Sequence, residues 1–230
     1  MTIKREVEGD EWAGFLDRLV HDLREPLRSV TVFTELLAEI AGGRLGVEGD
    51  RVTTEILGGA ARMGALLESL SAYSLALRET PDPAAVTSLQ SAFNLVAGEL
   101  EEQIRAEGAT VSAAGLPKVT LSLERSMDLL RQLIGNSLRF HAEEPAVIRL
   151  SAAGGPGDLW TISVADNGIG IEPGDREAVF LPFMRVQGKK YPGVGLGLSI
   201  CRKIVEGHGG TIHMEPAPEG GNICVFTLPG

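Results

Sequence analysis

The chain has 230 residues and a net charge of −10, and it is 43% hydrophobic but only 5% aromatic. This length suits one large domain or two small ones, with cores built mainly of aliphatic side chains. The acidic excess is shared equally by the residues before and after Thr80. Because no basic block is available to neutralise a phosphate backbone, we do not expect the chain to bind nucleic acid.

The sequence also excludes several other classes of protein. No apolar run is long enough to span a bilayer, and the charged N-terminal segment is not a signal peptide. The two cysteines, Cys201 and Cys224, fit neither a disulfide framework nor a zinc pattern. We therefore expect a soluble, cytoplasmic protein.

The first part of the chain predicts an antiparallel helical hairpin. Two helical apolar patterns flank a turn that contains Gly42, Gly43 and Gly46. A single hairpin buries little apolar surface, so we expect two copies to pair as a four-helix bundle, which makes a homodimer. The residues of the two patterns are Leu16, Leu19, Val20, Leu23, Leu27, Val30, Thr34 and Leu37, and then Val52, Ile56, Met63, Leu67, Leu70, Tyr73 and Leu77.

The segment Thr80-Pro81-Asp82-Pro83 ends the second helix, since proline disfavours helix at and before its position. We therefore predict a domain at 1–80, a linker at 81–85 and a second domain at 86–230. The later residues mix helix and strand patterns, which gives an α+β fold class overall. The predicted helices are Leu89–Ala106 and Leu123–Phe140, and the predicted strands are Val147–Ala152, Leu159–Ala165, Thr211–Glu215 and Ile223–Leu228.

His21 lies on the polar side of the first predicted helix. If Leu23 is the centre of the buried stripe, His21 lies roughly 160° around the helix and faces solvent. Asp22 can hold one imidazole nitrogen and leave a lone pair on the other, as a nucleophilic histidine requires. The alternative is an ordinary surface histidine. Pro26 weighs against that alternative, because a proline inside a helix costs about 3 kcal/mol.

Glycines in the second domain suggest a nucleotide site. Asp166 ends a predicted strand and is followed by Gly168 and Gly170, so it could accept the exocyclic amine of an adenine. The segment Gly193-Val194-Gly195-Leu196-Gly197-Leu198 opens a predicted helix whose N-terminus favours anions such as a triphosphate. On an upstream helix, Asn136 and Arg139 share a face and could meet Mg²⁺ and phosphate.

Together these motifs resemble the transmitter region of a sensor histidine kinase. His21 to Arg28 resembles the H box in the form found in bacteriophytochrome-type kinases, and Gln132 to Phe140 resembles the N box. The G1, F and G2 boxes are matched by Asp166 to Gly170, Phe180 to Phe183 and Gly193 to Leu198. The resemblance covers nearly the whole chain, with five motifs in the family's order.

The resemblance implies a dimerisation and phosphoacceptor hairpin, followed by an ATP-binding α/β sandwich of the type shared with gyrase, Hsp90 and MutL. His21 would accept the γ-phosphoryl group of ATP, with Asp22 orienting it or taking its proton, and a response regulator receiver domain would accept the group next. Asn136 would bind Mg²⁺. The remaining implied ATP-binding residues are Arg139, Asp166, Gly168, Gly170, Arg185, Lys189, Lys190, Gly193, Gly195 and Gly197.

Three positions depart from the family pattern. Gln132 stands where the N box usually has Asn and where the related ATPases have a general-base Glu, so we expect slow net ATP hydrolysis. Val194 replaces the usual Thr or Ser of the G2 box and removes a hydroxyl near the phosphates. Glu25 replaces the Thr or Asn that positions a dephosphorylating water in many bifunctional kinases, so we expect weak phosphatase activity.

Two rival functions stay open at this point. Gln132 and Val194 favour a catalytically weak dimeric scaffold or phosphotransfer protein that keeps the kinase fold, and an Hsp90-like or gyrase-like ATPase is the other rival. Only about ten residues precede the hairpin pattern, so we expect input from a separate sensor protein or from a sensor module that this chain lacks. We expect structural roles for the other histidines, His141, His208 and His213.

Overall fold

A computed structural model of the chain describes residues 2–78, 81–155, 157–188, 191 and 193–230, with side chains from residue 11 onward. It divides the chain into two compact units, Met1–Arg78 and Glu79–Gly230. The first is a helical hairpin and the second is an α/β sheet domain, as the sequence predicts.

The hairpin consists of two long helices. Helix α1 spans Thr2–Ala41 and continues through Pro26, and helix α2 spans Gly46–Leu77. Between them, Gly42 and Gly43 adopt φ values of +51° and +78°, which L-residues with a side chain rarely adopt. The glycines therefore allow the chain to reverse within a few residues.

The apolar residues of α1 lie on two faces of the helix, and not on the single buried stripe that the sequence predicts. Leu16, Val20 and Thr34 are buried, whereas Leu23 is 46% exposed and Leu37 is 52% exposed. One partner helix covers only one side of α1, so the second side stays open. We call the open residues the exposed seam: Leu19, Leu23, Val30, Phe33, Leu37 and Ile40 on α1, with Val52, Ile56 and Met63 on α2.

A polar cluster joins the two helices near the end of α2. The buried Ser74 hydroxyl lies 2.9 Å from the Ala13 carbonyl and 2.6 Å from Asp17 Oδ1. Arg78 forms an ion pair with the same carboxylate. The Ser74 hydrogen bond, with help from Arg78, lowers the pKa of Asp17 against a smaller opposing effect of burial.

The second unit contains a five-stranded sheet in the order β2-β4-β5-β7-β6. Strands β2 and β4 are parallel and the other pairs are antiparallel. A separate antiparallel ribbon joins β1 and β3. The strand bounds are β1 Val86–Ser88, β2 Thr110–Ala114, β3 Lys118–Thr120, β4 Val147–Gly154, β5 Leu159–Asp166, β6 Ile212–Pro216 and β7 Asn222–Pro229.

Helices cover one face of this sheet. Ile148, Ile162 and Phe226 point to that face and are fully buried, in the alternation expected of a sheet with one covered side. Leu133 and Ile134 belong to the apolar side of the central helix and are also buried. The helix bounds are α3 Leu89–Glu99, α4 Glu101–Ala106, α5 Leu123–Arg139 and α6 Gly197–Gly207.

Two predicted helices need correction. The helix predicted at Leu89–Ala106 breaks at Leu100, where ψ is 4°, and α4 beyond the break has no buried residue to stabilise a continuous helix. The helix predicted from Gly193 begins only at Gly197, because Gly193 and Gly195 have φ values of +135° and +80°. These values are incompatible with a right-handed helix.

Candidate functional site

His21 lies on the surface of α1 with an acidic neighbour. The side chains of His21 and Asp22 are 82% and 77% exposed, and Nδ1 lies 3.1 Å from Asp22 Oδ1. When Nδ1 carries the proton and donates a hydrogen bond to Asp22, Nε2 presents a lone pair to solvent. The hairpin therefore displays an accessible imidazole with a carboxylate on one nitrogen.

Asp166 lies at the end of β5 and is held by several donors. Its Oδ1 accepts from the backbone N–H groups of Gly168 and Asn222 at 3.0 and 3.1 Å, and its Oδ2 accepts from the Ser137 hydroxyl at 3.0 Å. Burial raises the pKa of this carboxyl, and the hydrogen bonds oppose that rise. The result is a largely buried carboxylate in a fixed orientation.

Gly168 allows the turn after β5 to pack against the end of α5. A Cβ atom at this position would lie 2.6 Å from the Phe140 carbonyl oxygen, and Ile169 N–H donates to that oxygen at 3.0 Å. Gly170 has a φ of +74°. We expect both glycines to let the backbone approach a base, and the contact with Phe140 shows that Gly168 is also required for packing within the domain.

Asn136 and Gln132 lie against the first residue of α6. A Cβ atom at Gly197 would be 2.7 Å from Gln132 Oε1 and 3.4 Å from Asn136 Nδ2. The open backbone N–H groups of a helix N-terminus favour anions. The structure therefore brings two amide side chains to a potential anion site.

Arg139 lies beneath the glycine loop that precedes α6. Its Nη1 would be 3.0 Å from a Cβ atom at Gly193, and burial lowers the pKa of its guanidinium. Among the side chains that the structure describes, no carboxylate lies within 4.0 Å of its nitrogens. A partly desolvated cation of this kind favours an anionic ligand.

The segment before this loop contains the remaining predicted cations. Arg185 donates a hydrogen bond to the Tyr191 carbonyl, and the Tyr191 ring packs on Phe140 with centroids 5.0 Å apart. A Cβ atom at Gly195 would lie 2.7 Å from the Met184 carbonyl oxygen, so the loop packs closely on this segment. Lys189 and Lys190 lie outside the described residues.

The F-box segment is attached to α6 by Arg202. The guanidinium carbon lies 4.3 Å from the centroid of the buried Phe180 ring, and Nη1 lies 2.6 Å from Glu177 Oε1. This contact fixes the segment that leads into residues 183–188.

The last turns of α5, residues 132–140, connect these parts. They contact the turn after β5 through Ser137 and Phe140, the glycine loop through Arg139, and the start of α6 through Gln132 and Asn136. We call residues 132–140 the α5 hub. One helix end therefore brings together three glycine segments that are far apart in the sequence.

Sequence reasoning missed several residues that shape this region. Ser137 and Asn222 orient Asp166. A Cβ atom at Gly221 would lie 2.1 Å from the Asp166 carbonyl oxygen, and the Gly220-Gly221 pair before β7 was a usable signal for this close approach. Asn167 bridges two strands, accepting from Val147 N–H at 2.8 Å and donating to the Pro145 carbonyl at 3.1 Å.

The other histidines make local contacts. His141 Nδ1 lies 2.7 Å from the Ala142 carbonyl oxygen, and His213 Nε2 lies 2.9 Å from Glu215 Oε1 within β6. His208 is buried at the C-cap of α6, where Nδ1 lies 2.8 Å from the Ile204 carbonyl oxygen. Gly209 follows with a φ of +75°, in the left-handed conformation expected after a helix.

A cavity of about 190 Å³ opens at the end of β5, where Asp166 and Asn167 are among its lining residues. Arg149, Ala165 and Ile223 also line it and are register partners, so this part of the cavity lies on the sheet face opposite the helices. Residues 132–140 of the α5 hub are not among its lining residues. Among the described residues, no cluster of three metal-binding side chains occurs and no helix is long and apolar enough to cross a membrane.

Comparisons with known proteins agree with this architecture. Residues 123–230 match the family described as "Histidine kinase-, DNA gyrase B-, and HSP90-like ATPase". Cyanobacterial phytochrome A of Nostoc sp. is 33% identical over 91% of this chain and 27% of its own length. Phytochrome-like protein Cph1 of Synechocystis sp. is 29% identical over 91% of this chain and 28% of its own length.

Among solved structures, full-length ShkA in complex with AMPPNP has a TM-score of 0.75 at 23% identity, over 94% of this chain and 45% of its own. That likeness concerns the fold. The chain spans about a quarter of the length of the two phytochromes that it matches. Residues 123–230 therefore belong to that ATPase family, and the motifs, fold and relatives of the chain together support a sensor histidine kinase transmitter region.

Proposed function

We propose that the chain is an ATP-dependent protein histidine kinase that phosphorylates His21 and passes the phosphoryl group to an aspartate of a response regulator receiver domain. The observation that carries the proposal is the α5 hub, where an oriented carboxylate, a desolvated arginine and a glycine loop meet. The exposed His21–Asp22 pair on the hairpin supplies the acceptor. Phosphoryl transfer requires mainly positioning and charge neutralisation.

Asp166 is the adenine-binding residue in this proposal. Its backbone and hydroxyl donors fix the carboxyl group in one orientation, so one of its oxygens can accept a hydrogen bond from the 6-amino group. Gly168 and Gly170 form the turn beside it. A fixed acceptor discriminates well, because an unmatched ligand would leave it desolvated without a partner.

The phosphates are proposed to lie at the N-terminus of α6. Arg139 would neutralise their charge, since its own guanidinium is partly desolvated and has no described carboxylate partner. Backbone N–H groups of the loop carrying Gly193, Gly195 and Gly197 would cradle the oxygens. Arg185, Lys189 and Lys190 complete the proposed ATP-binding set.

The Mg²⁺ that this family requires fits the residues present. Such ions are commonly held by one or two protein oxygens together with substrate phosphates and water, and the Asn136 amide beside Gly197 offers one such oxygen. Bound there, Mg²⁺ would supply charge neutralisation on the phosphates. Asn136 itself would fix the ion's position relative to α6.

His21 performs the nucleophilic step in this proposal. Its Nε2 lone pair forms a bond to the γ-phosphorus as the bond from that phosphorus to the bridging oxygen of ADP breaks. Asp22 holds the Nδ1 proton before attack and receives it afterwards, so the phosphohistidine ring is neutral. The receiver aspartate then attacks phosphorus, the N–P bond breaks, and the ring regains a proton.

The exposed seam supports a homodimer. Six apolar residues of α1 follow a spacing of three, four or seven residues and remain 36% to 69% exposed. This spacing is the heptad pattern by which helices pack in bundles. A second copy of the hairpin would cover the seam and complete a four-helix bundle, with phosphoryl transfer either within one chain or between the two.

Incubation with γ-labelled ATP and Mg²⁺ tests the proposed activity. We expect acid-labile label on the wild-type chain and none on His21→Gln, and the label should pass to a receiver domain. His213→Gln is the matched control, because this exposed histidine lies on β6. A dimer that binds ATP poorly and takes no label would favour the scaffold reading suggested by Gln132 and Val194. Sustained phosphate release without label would favour an ATPase.

A further inference from the structure

Ser137 follows Asn136 on α5, and its side chain turns toward the base side of the proposed nucleotide site. The residue is 7% exposed, and its hydroxyl donates to Asp166 Oδ2 at 3.0 Å. The two residues are 29 positions apart in the sequence. The contact therefore depends on the packing of α5 against β5.

The two oxygens of Asp166 have different surroundings. Oδ1 accepts from two backbone N–H groups, those of Gly168 and Asn222, so it is committed to the fold. Oδ2 accepts the Ser137 hydroxyl and keeps further acceptor capacity, since each carboxylate oxygen has two lone-pair sites. A ligand amine is therefore expected to approach at Oδ2, next to Ser137.

We propose that Ser137 is a positioning residue that fixes Asp166 Oδ2 for the exocyclic 6-amino group of adenine and so contributes to base selectivity. This inference rests on the proposed nucleotide site. The hydroxyl satisfies one lone pair and holds the carboxylate in the plane in which its second lone pair can accept the amine. The Ser137 oxygen also presents lone pairs to the same donor.

The stability of the helix gives no other reason for a serine at this position. Alanine has a higher helix propensity than serine, and burial of a hydroxyl without a partner is costly. Ser126 lies on the same helix, is fully buried, and has no hydrogen-bond partner for its hydroxyl among the described atoms. It therefore serves as a matched control for removing a buried serine hydroxyl from α5.

The test compares two ligands in the presence of Mg²⁺, ADP and purine riboside 5′-diphosphate, which lacks the 6-amino group. We expect Ser137→Ala to weaken ADP about tenfold, the scale of a hydrogen bond to a charged group. The affinity for purine riboside diphosphate should change less than about twofold, because this ligand does not use Oδ2. Ser126→Ala should leave both affinities unchanged. Calorimetric titration of the full chain measures the affinities of the wild type and of both variants for the two ligands.

A purely structural role for Ser137 would weaken both ligands equally, and that result would overturn the inference. An unchanged ADP affinity in Ser137→Ala would overturn it too, while leaving the proposed nucleotide site intact. If the wild-type chain bound neither nucleotide, the proposed function itself would fail, and the inference with it. These three results are distinct, so the two proposals can be judged separately.

Discussion

The hairpin exposes its functional side chain to solvent, whereas the sheet domain holds its own in a network of hydrogen bonds. On the hairpin, His21 is 82% exposed and touches one neighbouring side chain, and much of the apolar surface around it is open. In the sheet domain, Asp166 and Ser137 are largely removed from solvent and linked by hydrogen bonds. An acceptor that meets two different partners needs access, whereas a site that selects one nucleotide needs fixed geometry.

The largest effect is expected when charge is placed on the exposed seam of the hairpin. We expect Phe33→Glu with Leu37→Glu to weaken dimerisation on the order of a thousandfold, because four carboxylates would be buried without partners. Sedimentation or light scattering across a concentration series measures the effect. Val47→Glu is the control, since Val47 is 88% exposed and lies outside the seam. A double variant that stayed dimeric would show that the seam is not the interface.

The sheet domain should respond instead to a change of a single atom. We expect Asp166→Asn to weaken ADP binding about a hundredfold, because an amide nitrogen would replace an oxygen that accepts hydrogen bonds. Asp158→Asn is the isosteric control, placed in a turn with a φ of +58° that Asn tolerates well. Titration calorimetry measures both. Equal ADP affinity in Asp166→Asn and wild type would contradict the assigned role.

The smallest expected effect is on the stability of the hairpin and involves Asp17. Since the Ser74 and Arg78 contacts lower the pKa of Asp17 below its ordinary value of 3.8, its ionised form stabilises the fold at pH values above 3.8. That contribution is lost as pH falls through the lowered pKa. We expect Asp17→Asn to lower the free energy of unfolding by about 1 kcal/mol at pH 7, a modest value because the pair is partly exposed.

Urea unfolding followed by circular dichroism at pH 7 and pH 3 measures this difference. The difference in unfolding free energy between wild type and Asp17→Asn should be smaller at pH 3 than at pH 7, because the stability from ionised Asp17 declines as the pH falls below 3.8 toward its lowered pKa. Glu68→Gln removes an exposed acid from α2, so its free energy of unfolding should be close to that of the wild type at both pH values. A gap that is independent of pH would mean that packing, and not charge, explains the effect of Asp17.

Local patterns predicted the long elements well and the site contacts poorly. Helical periodicity found α1, α2 and α5, and strand patterns found β4, β5, β6 and β7. The strand patterns missed β1 and β3, which have three residues each and too little sequence for a period, and they also missed the five-residue strand β2. Ser137 and Asn222 were missed because their roles arise from packing between distant segments, and single-chain periodicity cannot separate the buried stripe of α1 from its exposed seam.

The α5 hub has a consequence for how such a site can vary. Each residue of an α-helix is rotated about 100° from the one before it, so one inserted or deleted residue in the middle of α5 would turn Asn136, Ser137 and Arg139 away from their neighbours together. Substitution can retune each contact alone, but a change of length would remove all of them in one step. Tolerance of insertions should therefore fall sharply between the loop before α5 and its last two turns.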